Sequence, residues 1–157
     1  MNDKLRFGIP STAAIAGHPL HPLLVTLPIG FLIGAFLSDM AFYNTGDGFW
    51  VRASAWLIGA GLVTGLLAAV TGLVDFLASE RIRSLTAAWL HFAGNAIALV
   101  LTAINLYYRT TSDMTAVTGG QLLLSTLVVL IFAVTGWLGG ELVFRHGAGV
   151  IGDKSGD

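Results

Sequence analysis

Residues 53–76 read ASAWLIGAGLVTGLLAAVTGLVDF, an apolar run whose single charge, Asp75, stands at its end. At 1.5 Å per residue, such a run builds a helix long enough to cross roughly 30 Å of hydrocarbon. Three further runs of this kind follow from the same reading, at 23–43, 85–108 and 122–144. Of the 157 residues 55% are hydrophobic and 11% charged, where a soluble domain carries about 25% charged residues. The runs are too continuous and too long for the alternating strands of a membrane barrel. The chain is therefore expected to be an all-α integral membrane protein. The connections are short: 44–52 holds the turn residues Asn44, Gly46, Asp47 and Gly48, 77–84 is charged, and 109–121 is polar with Gly119-Gly120. Short connections make consecutive helices antiparallel neighbours, so one four-helix up-down antiparallel bundle accounts for the whole chain.

The remaining composition excludes several chemistries. There is no cysteine, which removes disulfides, thiolate metal sites and cysteine-ligated clusters. The net charge is -1 and no basic block occurs, so nucleic acid is not an expected partner; the lipid bilayer is. The first residues carry Lys4 and Arg6 but no apolar run of signal length, so the first span is expected to direct insertion itself. Four spans put both termini and the 77–84 connection on one side, with Lys4, Arg6, Arg81, Arg83, Arg145 and Lys154, against Arg52 and Arg109 on the other. For a protein of the bacterial inner membrane, the expected location, the positive-inside rule makes that side cytoplasmic, with both termini inside. Gly30, Gly34, Gly61, Gly65 and Ala69 stand at small-xxx-small spacing and are read as helix-packing positions. Pro28 is expected to bend the first helix.

The polar residues that remain gather at one membrane edge. In GHPLHP, residues 17–22, His18 and His21 each precede a proline, which biases them toward extended or turn geometry, and Pro22 suits a helix start. His91 lies inside the third span, roughly 9 Å below the same edge, and His146 follows the fourth. Asp75 and Glu141 reach that level as well. An ionisable group within a membrane helix normally faces the bundle interior and often marks function, which singles out His91, with Asn95 one turn further on its face. Glu141 and Arg145 have the spacing of a helical ion pair. Asp39, Asn105 and Arg109 form a second, smaller polar group at the opposite edge, near an aromatic belt of Trp50, Trp56, Tyr107 and Tyr108.

GHPLHPLLVTLPIGF at 17–31, VTGLVDF at 70–76 and WLGGELVFRHGAGV at 137–150 resemble the bacterial membrane family of domain-of-unknown-function 2231. The resemblance runs from about residue 10 to residue 150. It implies no settled activity. The family is similar in layout to b561-like four-helix membrane cytochromes, which points toward redox chemistry by analogy. Those carry histidines near both membrane faces for two haems; here only His91 lies within a span and no histidine lies at the far edge, so at most one haem is expected.

Two readings stay open. In the first, His18, His21, His91 and His146 supply ligands for one b-type haem, with Arg81, Arg83 or Arg145 as partners for its anionic groups. A bare transition metal held by those histidines with Asp75 and Glu141 is the other form of this reading. A redox protein would then be the partner. In the second, the protein is a non-catalytic membrane anchor or subunit of a larger complex, its His/Asp/Glu layer purely structural. A homo-oligomer fits either. No convincing internal repeat is visible, which argues against a single-chain transporter. A hydrolase is least expected, since Ser38, Ser54 and Ser125 have no base at useful spacing.

Overall fold

The computed structural model describes residues 8–150. The chain enters through a two-residue antiparallel ladder, β1 (Ala14–Ile15) with β2 (His18–Pro19). The two residues between them, Ala16 and Gly17, have φ of 49° and 79°. Positive φ at both central positions is the demand of a type I′ hairpin turn, and Gly17 meets it without strain. Helix α1 (Leu20–Leu24) and helix α2 (Thr26–Thr45) then form the first span. The break between them has a local cause. Pro28 has no N–H to give to the carbonyl of Leu24 and its ring crowds that carbonyl, so regular helix is interrupted there.

Helices α3 (Gly48–Ala78), α5 (Thr86–Thr111) and α6 (Gly119–Phe144) are the other three spans, with the single turn α4 (Glu80–Arg83) between α3 and α5. Among the described residues four helices are long and apolar enough to cross a membrane. Each extends a few residues past its apolar run. Gly46 ends α2 in the left-handed conformation, and the Asp47 carboxylate at once caps α3 by accepting from the Phe49 N–H. At the start of α6 Thr118 and Gln121 form a reciprocal capping box. The guanidinium of Arg83 donates to the carbonyls of Phe76 and Leu77, satisfying the last turn of α3.

Helix α2 packs on α3 and α6, and α5 packs on α6 and α3, so the first and third spans stand on opposite corners of an antiparallel bundle. One apolar cluster, Leu32, Ala35, Ile58 and Val128, fills the half away from the described termini. A second, with Ile9, Phe76, Ala88 and Leu142, closes the other end. There the backbone of Ile9 bridges to Ala148, tying both ends of the described chain to one face. Lys4, Arg6 and Lys154 lie outside the described residues.

Candidate functional site

Between the two apolar clusters lies a layer of small and polar residues, and two imidazoles meet in it. His21 belongs to α1 and not to an extended arm. Pro22 falls within the first turn, where its missing N–H costs nothing, so the helix begins at Leu20 and carries His21 with it. The His21 Nδ1 lies 2.8 Å from the carbonyl oxygen of Ala68 on α3. The His91 Nδ1 lies 2.8 Å from the carbonyl oxygen of Thr135 on α6. A carbonyl only accepts, so each Nδ1 carries the proton and donates, and in the neutral ring each Nε2 keeps its lone pair. The ring centres are 6.1 Å apart and the planes cross at 81°. Both rings are half-buried.

Each ring is seated by the same local device. One helical turn beyond Ala68 stands Gly72, where a Cβ would come within 2.7 Å of the His21 Nδ1. One turn beyond Thr135 stands Gly139, where a Cβ would come within 3.1 Å of the His91 Cε1. The missing side chains let the imidazoles reach a helix backbone that is otherwise screened. Around His91 the fit is tightened by Asn95, which donates to the His91 carbonyl at 2.7 Å and faces the Thr135 hydroxyl.

The other candidates do not join this layer. His18 turns back to the Ala16 carbonyl at 3.0 Å, because the hairpin turn places that acceptor beside it. Asp75 accepts from the Ser11 hydroxyl and from the backbone N–H groups of Thr12 and Ala13, which makes it the anchor of the N-terminal arm. Glu141 accepts from Arg145 at 3.4 Å on the surface. His146 sits in the turn after α6 and shares no hydrogen bond or ring contact with the other histidines among the described residues. Arg83 is spent on the end of α3, and Arg81 makes a contact of its own. Among the described residues no group of three or more His, Asp or Glu side chains is placed to hold a metal ion, and His21 and His91 are the two of the six candidates that stand beside each other.

At the far end the smaller polar group is a buried network. Arg109 donates to Asp39 Oδ2 at 2.7 Å, and both side chains are almost fully enclosed. The Ser125 hydroxyl donates to the same oxygen, and Asn105 links Arg109 to Ser125. Arg109 is therefore an interior residue, and it drops out of the charge count for its membrane face. Ser125 and the carbonyl of Gln121 were invisible in the sequence as members, because nothing in a run of apolar helix marks which serine turns inward.

Fold and composition define a four-span helical membrane protein. The chain belongs to the family described as predicted membrane protein, DUF2231, whose model matches residues 17–152. No curated protein and no solved structure matches the chain.

Proposed function

We propose that the protein is a membrane-embedded electron carrier that holds one b-type haem between His21 and His91. The observation that carries this reading is the geometry of the pair. Two imidazoles on opposite sides of one metal ion stand with ring centres roughly 6 Å apart, the sum of two bonds of about 2 Å and the reach from each nitrogen to its ring centre; His21 and His91 stand at 6.1 Å. Both rings also have their Nδ1–H fixed by a backbone carbonyl, a contact that orients a ligating histidine and settles its tautomer. A haem asks the protein for two axial nitrogens only, whereas a bare ion needs further protein donors that the described residues do not gather. Both rings are half-buried, and the absent side chains of Gly72 and Gly139 let them lie close against α3 and α6.

When bound, the haem would supply one-electron chemistry. The chain's own part is to hold both rings, direct each Nδ1–H to a backbone carbonyl so that Nε2 is the nitrogen left for the iron, and exclude lipid by closing the end with Ile9, Phe76 and Leu142. The charge bias of the loops supports an inner-membrane orientation with both termini cytoplasmic. The pair lies toward that face, which favours a redox partner on the cytoplasmic side. The test is the visible spectrum of the purified full chain from a haem-replete host. A Soret band that is lost in His21→Ala and in His91→Ala, and kept in His18→Ala and His146→Ala, is the expected result. A colourless wild type overturns the proposal. It would favour the second reading, a non-catalytic anchor or subunit in which the same two bonds to Ala68 and Thr135 serve only to set helix register.

A further inference from the structure

The interior of the first span repeats in the third. The buried residues Pro28, Leu32, Ala35 and Asp39 of α2 recur in α5 as Ala98, Thr102, Asn105 and Arg109, each 70 residues on. His21 and His91 are related by that same step. In the second and fourth spans, buried Ser54, Ile58, Gly61 and Ala68 of α3 recur as Gln121, Ser125, Val128 and Thr135 of α6. One constant step relates these four pairs, and it also carries Gly72 onto Gly139. The first and third spans run in the same direction, so the two hairpins are related by a two-fold axis along the bundle. A residue that touches its own equivalent must lie on or near such an axis. Two pairs do so: His21 with His91 at one pole, and Asp39 with Arg109 at the other, roughly 27 Å away by helical rise. The stretch between them is closed by Leu32, Ile58 and Val128 around a cavity of about 10 Å³, so the axis is not a pore.

We infer that the chain is two copies of one helix-hairpin kit, a ring, a carbonyl and a glycine. The layer where the kits meet is then an axial site for a ligand with two equivalent faces, a flat macrocycle that takes one imidazole from each repeat. This rests on the haem reading and adds two things to it. The imidazole planes across the ligand are crossed, as the 81° between the rings requires. Gly72 and Gly139 are equivalent positioning residues, each acting through one histidine.

The experiment uses the purified full chain, with Gly72→Ala and Gly139→Ala beside the wild type. Electron paramagnetic resonance of the oxidised haem protein is expected to give the highly anisotropic low-spin signal of crossed imidazole planes. Each alanine variant is expected to weaken haem retention by roughly ten- to a hundredfold, the usual loss when a ligand's supporting contact is removed. Gly72→Ala should be the more severe, since its Cβ meets Nδ1 itself. In protein prepared without haem, ring nitrogen-15 resonances are expected to move for His21 alone in Gly72→Ala and for His91 alone in Gly139→Ala. A pigmented protein with a rhombic signal from parallel rings, or with retention lost in only one of the two variants, overturns this inference and leaves the haem reading standing. A colourless wild type overturns the haem reading and the macrocycle with it. The nitrogen shifts decide the role of the glycines in either case, and rings unmoved in both variants would refute it.

Discussion

Asp39 and Arg109 are the residues on which burial acts most strongly. Both are charged and enclosed among helices, and the network around them is incomplete: Asp39 Oδ1 and Arg109 Nη1 have no partner among the described residues. A buried pair of this kind costs desolvation on both sides, and the Coulomb attraction only offsets it. Removing one partner is worse than removing both. Arg109→Met leaves the Asp39 carboxylate with Ser125 as its one side-chain donor, and is expected to cost about 3–5 kcal/mol. Asp39→Leu combined with Arg109→Met is expected to cost less than either change alone. Thermal unfolding of the detergent-solubilised variants measures both. A double variant at least as unstable as the worse single would show that the pair stabilises the bundle outright.

At the scale of the helix, glycines separate into those that pack and those that do not. A Cβ on Gly61 would meet Leu32 Cγ at 2.6 Å, while one on Gly136 meets nothing within 4 Å. Gly61→Ala is therefore expected to destabilise by about 1–3 kcal/mol through overpacking. Gly136→Ala is expected to stay within about 0.5 kcal/mol of the wild type. Melting temperatures of the two variants check this, and equal shifts would contradict it. Small-residue spacing named Gly34, Gly61 and Gly65 correctly, and these do face Leu57, Leu32 and Leu99. The same spacing also named Gly30, which is open, and Ala69, whereas Ala68 is the buried neighbour. A four-residue period drifts around a helix of 3.6 residues per turn, so over the length of α3 the packing face shifts by a residue.

For the molecule as a whole the testable property is which face each loop occupies. Ser84 lies in the turn before α5 and Ser112 just beyond its far end, and both are exposed. The protein has no cysteine of its own, so single cysteines report cleanly. In right-side-out vesicles a membrane-impermeant maleimide is expected to label Ser112→Cys directly and Ser84→Cys only after permeabilisation. Labelling in the reverse order would invert the orientation drawn from the loop charges.

The sequence by itself determined the class, the number of spans, the antiparallel order and the family, along with the edge at which the histidines gather. These follow from length, hydropathy and short connections, which are one-dimensional properties that lipid reads directly. It also exposed the far polar group, because Asp39, Asn105 and Arg109 are conspicuous in apolar helix. Only the tertiary structure decided which histidines meet. His18 and His21 stand in the same dipeptide pattern before proline, but the hairpin turn hands His18 a local acceptor, while the helix start at Leu20 sends His21 to Ala68. The repeat was hidden for a related reason. Equivalent positions carry Pro28 and Ala98, Ala35 and Asn105, Asp39 and Arg109, pairs that share burial and depth and share no chemistry. Position relative to the axis is what they have in common, and a position in space exists only once the helices have packed.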